Sequence, residues 1–141
     1  MKTVIKWADG AMFVGETESG HAVVMDGPPD GGGRNLGPRP MEMLLLGMGA
    51  CTAYDVVSIL RKSRQPLRHC EVSVDGRRAE TVPKVFTHIH VRYRLSGKGL
   101  DAGAVERAIA LSTEKYCSAT IMLGKAAEIS HDYEIVEGDG S

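Results

Sequence analysis

The sequence predicts an α+β fold, with strands in runs, helices between the runs, and the order βββ-α-ββ-α-(α)-β. Alternation of apolar and polar positions recurs in three separate stretches, near residues 2–25, 68–95 and 127–136. A long, almost unbroken apolar segment begins at Pro40. A second helical pattern follows Asp101, with Val105, Ala108, Ile109 and Ser112 at helical spacing. At 141 residues the chain is expected to be a single domain, residues 1–141, with room for one core and not for two.

Residues 1–26 read as a meander of half-buried strands. Asp9-Gly10 and Ser19-Gly20 supply turns between strands at residues 2–8, Ala11 to Thr17 and His21 to Met25. Residues 27–39, with Asp26 before them, form a stretch dense in Gly, Pro and Asp, expected to be too polar to bury and mobile. Pro40 then opens the central helix, 40–63, where its missing N–H costs nothing. Arg61, Lys62 and Arg64 before Pro66 suit the helix C-terminus. The first half of this helix is apolar on nearly every side, a demand most simply met by packing against a second copy of itself. A second hairpin is expected over 68–96. Cys70, Val72 and Val74 share one face, and Val85, Thr87, Ile89, Val91, Tyr93 and Leu95 share a face of the next strand. The C-terminal helices and strand occupy 101–136. Asp101 caps a helix to about Lys115, Ser118 to Lys125 forms a short third helix, and Ala127 to Val136 is a closing strand.

Composition narrows the function. Lys and Arg total 17 against 18 Asp and Glu, for a net charge of −1. With no basic stripe interleaved with aromatics, nucleic acid is not an expected partner. The apolar run Met41 to Tyr54 is broken by Glu42, Gly47 and Gly49 and falls short of a membrane span, so no membrane partner is expected. An odd count of three cysteines and a strand-like N-terminus without a signal pattern point to a reducing cytoplasm.

Two cysteines stand in specific settings. Cys51 lies well inside the apolar helix, and Cys117 lies where the second helical pattern gives way to a small-residue turn. Such thiols can perform peroxide and disulfide chemistry without a cofactor, although free cysteines usually serve as small buried hydrophobes. A reactive cysteine must be a thiolate near neutral pH. Cys51 is too far inside its helix for the dipole to help, and an ionised Asp55 on the same face would oppose it. A cation or hydroxyl donor must therefore come from elsewhere. Cys70 is expected in the core. His88 and His90 point to one strand face, where His69 or His131 could join them, but no spacing typical of a metal set accompanies them and no metal is expected. Gly31-Gly32-Gly33 lacks the lysine and helix of a phosphate loop.

Four segments occur in order over nearly the whole chain. They are Pro40-Met41-Glu42-Met43-Leu44, then Gly49-Ala50-Cys51-Thr52-Ala53-Tyr54-Asp55-Val56-Val57, then Phe86-Thr87-His88-Ile89, then Ser112 to Ser118 with Lys115-Tyr116-Cys117-Ser118. Together they resemble the OsmC/Ohr family of osmotically inducible and organic-hydroperoxide-resistance proteins, in its OsmC-like redox-protein branch. The resemblance implies antiparallel sheets wrapped around long central helices in an intertwined homodimer, with active sites at the subunit interface. It implies reduction of small organic hydroperoxides by a cysteine pair, with no metal, haem or other cofactor.

By that resemblance Cys51 matches the peroxidatic cysteine, Cys117 the resolving one, and Glu42 the acid nine positions before the reactive thiol. Arg34 and Arg39 are the only arginines before Cys51. Arg39, beside the helix start, is the better match to the family's thiolate-holding arginine. A dithiol or lipoyl-bearing protein is the implied reductant, and Met48, Leu46 and Met122 would favour lipid-like substrates. Geometry adds a constraint: on a straight helix Glu42 lies on the side opposite Cys51, about 13 Å along the axis. Either the helix bends near Gly47 and Gly49, or Glu42 serves the cysteine of a partner subunit. Two other readings stay open: a dimer that binds a small apolar ligand, and a thiol–disulfide exchange or sensing protein with little peroxidase turnover.

Overall fold

The computed structural model describes residues 1–138, so the last three residues of the expected 1–141 span lie outside the described residues. The chain divides into two compact units, Met1–Leu44 and a second that begins at Leu45.

In the first unit β1 (Thr3–Asp9), β2 (Met12–Thr17) and β3 (Ala22–Met25) form the expected antiparallel meander. Gly10 at φ 52° and Gly20 at φ 93° make the turns, a backbone region that favours glycine. Trp7 Nε1 donates to the Gly10 carbonyl at 2.8 Å, beside a register shift between Trp7 and Asp9. The expected half-burial does not hold: all seven residues of β1 are exposed, Trp7 at 69% and Ile5 at 56%. Alternation shows that a strand has two chemically different faces, but not what covers them.

The loop after β3 is also a correction. Asp26 is only 2% exposed. Its carboxylate accepts from the backbone N–H groups of Gly27 at 2.7 Å, Arg34 at 3.2 Å and Leu36 at 3.2 Å. The Asp26 amide in turn donates to the Pro38 carbonyl at 3.1 Å. Burial pushes this carboxyl up, but the three amides and the charge of Arg34 outweigh it and hold it below the ordinary carboxylate range.

Helix α1 (Pro40–Lys62) begins in the first unit and continues in the second. Glu42 Oε1 accepts from the Arg39 backbone N–H at 2.7 Å, the return half of a capping box. Arg64, left-handed at φ 59°, stops the helix before Pro66. By length and composition α1 is long and apolar enough to cross a bilayer, contrary to the shorter run expected. Core helices of soluble proteins can be equally long and apolar.

In the second unit β4 (His69–Arg78) and β5 (Phe86–Ser96) form the expected hairpin, and β6 (Glu128–Val136) joins the far edge of β5. The expectation of antiparallel sheets fails here, because β6 runs parallel to β5. Between them lie α2 (Ala102–Leu111), a π-helical turn (Ser112–Tyr116) and α3 (Ser118–Leu123), which return the chain to the starting end of β5. Such a crossover is what parallel pairing requires. The Asp101 carboxylate caps α2 by accepting from Ala104 N–H at 2.9 Å, as expected.

Ile89, Val91, Tyr93 and Leu95 of β5 are buried, with Val56 and Leu60 of α1 and Val105 and Ile109 of α2. A register shift between Arg77 and Arg78 turns Phe86 inward, whereas simple alternation had chosen Val85 and Thr87. His88, His90, Arg92 and Arg94 line the exposed face. There Arg92 pairs with Asp132 at 2.6 Å and Glu134 at 3.3 Å, and Arg94 with Glu134 at 3.0 Å.

Gly76→Ala would drive a methyl to within 2.7 Å of the Phe86 ring and 3.0 Å of Leu45. It is expected to cost about 1–3 kcal/mol, read from the urea midpoint. For Asp26 the folded carboxyl is depressed, so its contribution is present above the ordinary carboxylate range and is lost as pH falls through the folded value. Asp26→Asn should speed hydrogen exchange at the Arg34 and Leu36 amides at pH 7 and flatten the acid dependence of that exchange.

Candidate active site

Both cysteines singled out by sequence lie in the second unit. Cys51 projects from α1 and is half-buried, while Cys117 is wholly buried at the junction between the π-helical turn and α3. Cys51 stands close enough to Cys117 to influence its thiol. Burial pushes that thiol up, the hydroxyl and amide of Thr120 pull it down, and Cys51 pushes it up again. The Thr120 contacts are direct: Oγ1 donates to Cys117 Sγ at 3.0 Å and the backbone N–H donates at 3.3 Å. Cys117 is thus the inner, shielded sulfur of the pair and Cys51 the outer one.

A chain of hydroxyls stands beside them. Thr52 Oγ1 lies 2.7 Å from Tyr93 Oη and 2.8 Å from Ser112 Oγ, and Ser112 Oγ donates to Asp55 Oδ2 at 2.9 Å. Each hydroxyl has one proton to give. Ser112 spends its proton on the carboxylate, so it accepts from Thr52, and Thr52 in turn accepts from Tyr93. The chain therefore has one direction, Tyr93 to Thr52 to Ser112 to Asp55. Thr52, Tyr93 and Ser112 are all fully buried. Burial raises the Tyr93 phenol, the bond to Thr52 lowers it, and Cys117, Cys70 and Asp55 add to the rise.

Sequence reasoning had placed Thr52, Tyr93 and Ser112 only as pattern positions and passed over Thr120. The available signal was a polar group at each of three positions on faces expected to be core, one of them directly after Cys51.

The other candidates make contacts of their own. Arg39 and Glu42 belong to the first unit, where Glu42 holds the backbone of Arg39 and the Arg39 guanidinium donates to Asn35 Oδ1 at 2.8 Å and the Gly37 carbonyl at 3.2 Å. Of the residues expected to favour lipid-like substrates, Met48 is in the core, whereas Leu46 and Met122 are exposed. Tyr54 and Tyr116 are exposed too. Cys70 is half-buried, and burial raises its thiol. It borders an open groove of about 690 Å³ with Ala50, Ala53, Tyr54, Val57 and Arg61. His90 reaches Ser130 at 2.7 Å and Asp132 at 3.1 Å, and His88 reaches Glu128 at 3.3 Å. Among the described residues no three His, Cys, Asp or Glu side chains are grouped to hold a metal.

Residues 31–132 match the family model for OsmC-like protein. Protein YhfA of Escherichia coli strain K12 is 47% identical over 136 residues, 96% of this chain and 98% of that protein. A hypothetical protein from Aquifex aeolicus VF5 superposes with a TM-score of 0.85 at 29% identity, covering 97% of this chain and 96% of that one. A Legionella pneumophila structure described as organic hydroperoxide resistance protein OsmC superposes with a TM-score of 0.68 at 18% identity, covering 95% and 97%. At that identity the last likeness concerns the fold alone. With the family model spanning most of the chain and a relative nearly half identical end to end, the protein belongs to the OsmC-like family.

Proposed function

We propose that this protein is a thiol-dependent peroxidase that reduces organic hydroperoxides through Cys51 and Cys117. The observation that carries the reading is a half-buried thiol lying near a wholly buried one, with Thr52, the residue after Cys51, bonded at 2.8 Å to Ser112, whose carbonyl accepts from the Cys117 N–H. The choice of substrate follows the four sequence segments that resemble the OsmC/Ohr family. In the first step the Cys51 thiolate attacks the O–O bond. An S–O bond forms, the O–O bond breaks, and the alkoxide leaves as the alcohol with one proton, so that Cys51 becomes a sulfenic acid. Cys117 then condenses with it to a disulfide and water, and a dithiol or lipoyl-bearing protein returns two electrons and two protons. No metal or other cofactor enters these steps. Glu42 and Arg39 are the proposed organisers of the thiolate, Glu42 acting on the Arg39 backbone. Three free thiols fit a reducing compartment such as the cytoplasm.

The working form is a homodimer. Leu46, Ala50 and Tyr54 follow one another at four-residue spacing on α1, and Leu46 is 59% and Tyr54 75% exposed. An apolar stripe this open on a long helix is suited to a matching stripe on a second copy. Tyr54→Glu should shift the sedimenting species from dimer to monomer at micromolar concentration. An unchanged dimer would place the interface elsewhere.

The chemical test is oxidation of the reduced protein with one equivalent of cumene hydroperoxide, followed by thiol counting and mass spectrometry. Loss of two thiols, joined as 51–117 and abolished by Cys51→Ser, is the expected result. Slow oxidation that does not need Cys51 would favour a ligand-binding dimer. Rapid exchange with a disulfide reagent alongside sluggish peroxide consumption would favour an exchange or sensing protein.

A further inference from the structure

We infer that Thr52 and Ser112, anchored on Asp55 and backed by Tyr93, are positioning residues that hold the Cys51 and Cys117 sulfurs in register for disulfide closure. The inference rests on the pairing of these cysteines proposed above, but not on peroxide as the oxidant.

The covalent path is short on both sides. Thr52 directly follows Cys51 on α1. On the other side the Cys117 N–H donates to the Ser112 carbonyl at 2.7 Å, a bond five residues long that defines the π-helical turn. The Thr52–Ser112 contact at 2.8 Å joins these segments. Two hydrogen bonds therefore connect the backbone at one sulfur to the backbone at the other.

Direction makes the joint stiff. Asp55 accepts the Ser112 proton, so Ser112 can bond Thr52 only as an acceptor, and Thr52 can bond Tyr93 only as an acceptor. Rotating the Thr52 hydroxyl away would leave the fully buried Tyr93 hydroxyl without a partner. Apolar residues would fill the same space without that exposure to penalty, so the polar chain is not needed for packing alone.

Closure is demanding of geometry. The Cys117 S–H bond and the Cys51 S–O bond break, the S–S bond forms, and the hydroxyl leaves with the Cys117 proton as water. The attacking sulfur must lie in line with the S–O bond, and small misplacements slow such steps steeply. A sulfenic acid left waiting is open to a second peroxide and to irreversible oxidation.

The experiment isolates closure from peroxide chemistry. In a Cys70→Ala background, reduced protein is mixed with dithiobis-nitrobenzoate. Cys51 forms the mixed disulfide and releases one thionitrobenzoate, then Cys117 attacks that sulfur and releases a second. The ratio of the second-phase rate to the first is expected to fall at least about tenfold in Thr52→Val and to be restored in Thr52→Ser. Ser112→Ala should show the same fall and carries the test if Thr52→Val does not fold. Under excess cumene hydroperoxide, Thr52→Val should also accumulate sulfinic acid at Cys51. A folded Thr52→Val or Ser112→Ala that closes at the parental ratio overturns the inference. So does a parent that never releases the second thionitrobenzoate. A parent that closes with this reagent but ignores cumene hydroperoxide sinks only the peroxidase reading.

Discussion

The second unit depends on one constraint: three hydroxyls buried beneath α1 must all find partners, and only one arrangement lets them. Tyr93 comes from the central strand of the sheet, Thr52 from the long helix and Ser112 from the end of α2, so the chain of donors crosses three elements. Apolar packing around it, from Val56, Leu60, Val91 and Ile109, tolerates small slips because dispersion is non-directional. Hydrogen bonds between buried groups do not. The polar chain thus fixes the rotation and height of α1 over the sheet, while the apolar core supplies most of the driving force.

That division of labour explains the contrast between the faces of α1. Met48, Thr52, Val56 and Leu60 recur every four residues and are fully buried. Gly49, on the same side, lets the helix approach closely, since a methyl there would stand 3.0 Å from Val74. Leu46, Ala50 and Tyr54 recur at the same spacing, two residues out of phase, and stay open. The helix is apolar on both stripes, which is why its sequence reads as uniformly hydrophobic.

What could be read from the sequence was local. The three runs of strands, the start of α1 at Pro40 and the Asp101 cap need only neighbouring residues, and each stands where it was expected. Features set by distant residues were not legible. The parallel course of β6 depends on the path of the crossover, and the burial of Asp26 depends on amides eight and ten residues away. The inward turn of Phe86 depends on a slip in pairing with β4. At the site, both cysteines were visible from their contexts, but the hydroxyls that join their two segments were not. Glu42 was matched by the family resemblance, and its visible bond is to the backbone of Arg39.

The parallel strand has a mechanical consequence. The segment bearing Cys117 is tethered at both ends to one sheet, through β5 before it and β6 after it. It cannot swing outward like a hinged arm, because any large excursion would tug at β6. Peeling that edge strand would break its ladder with β5 together with the Arg92 and Arg94 ion pairs. Stress arising at the buried sulfur is thereby shared by an entire strand, and the restoring force comes from the far side of the sheet.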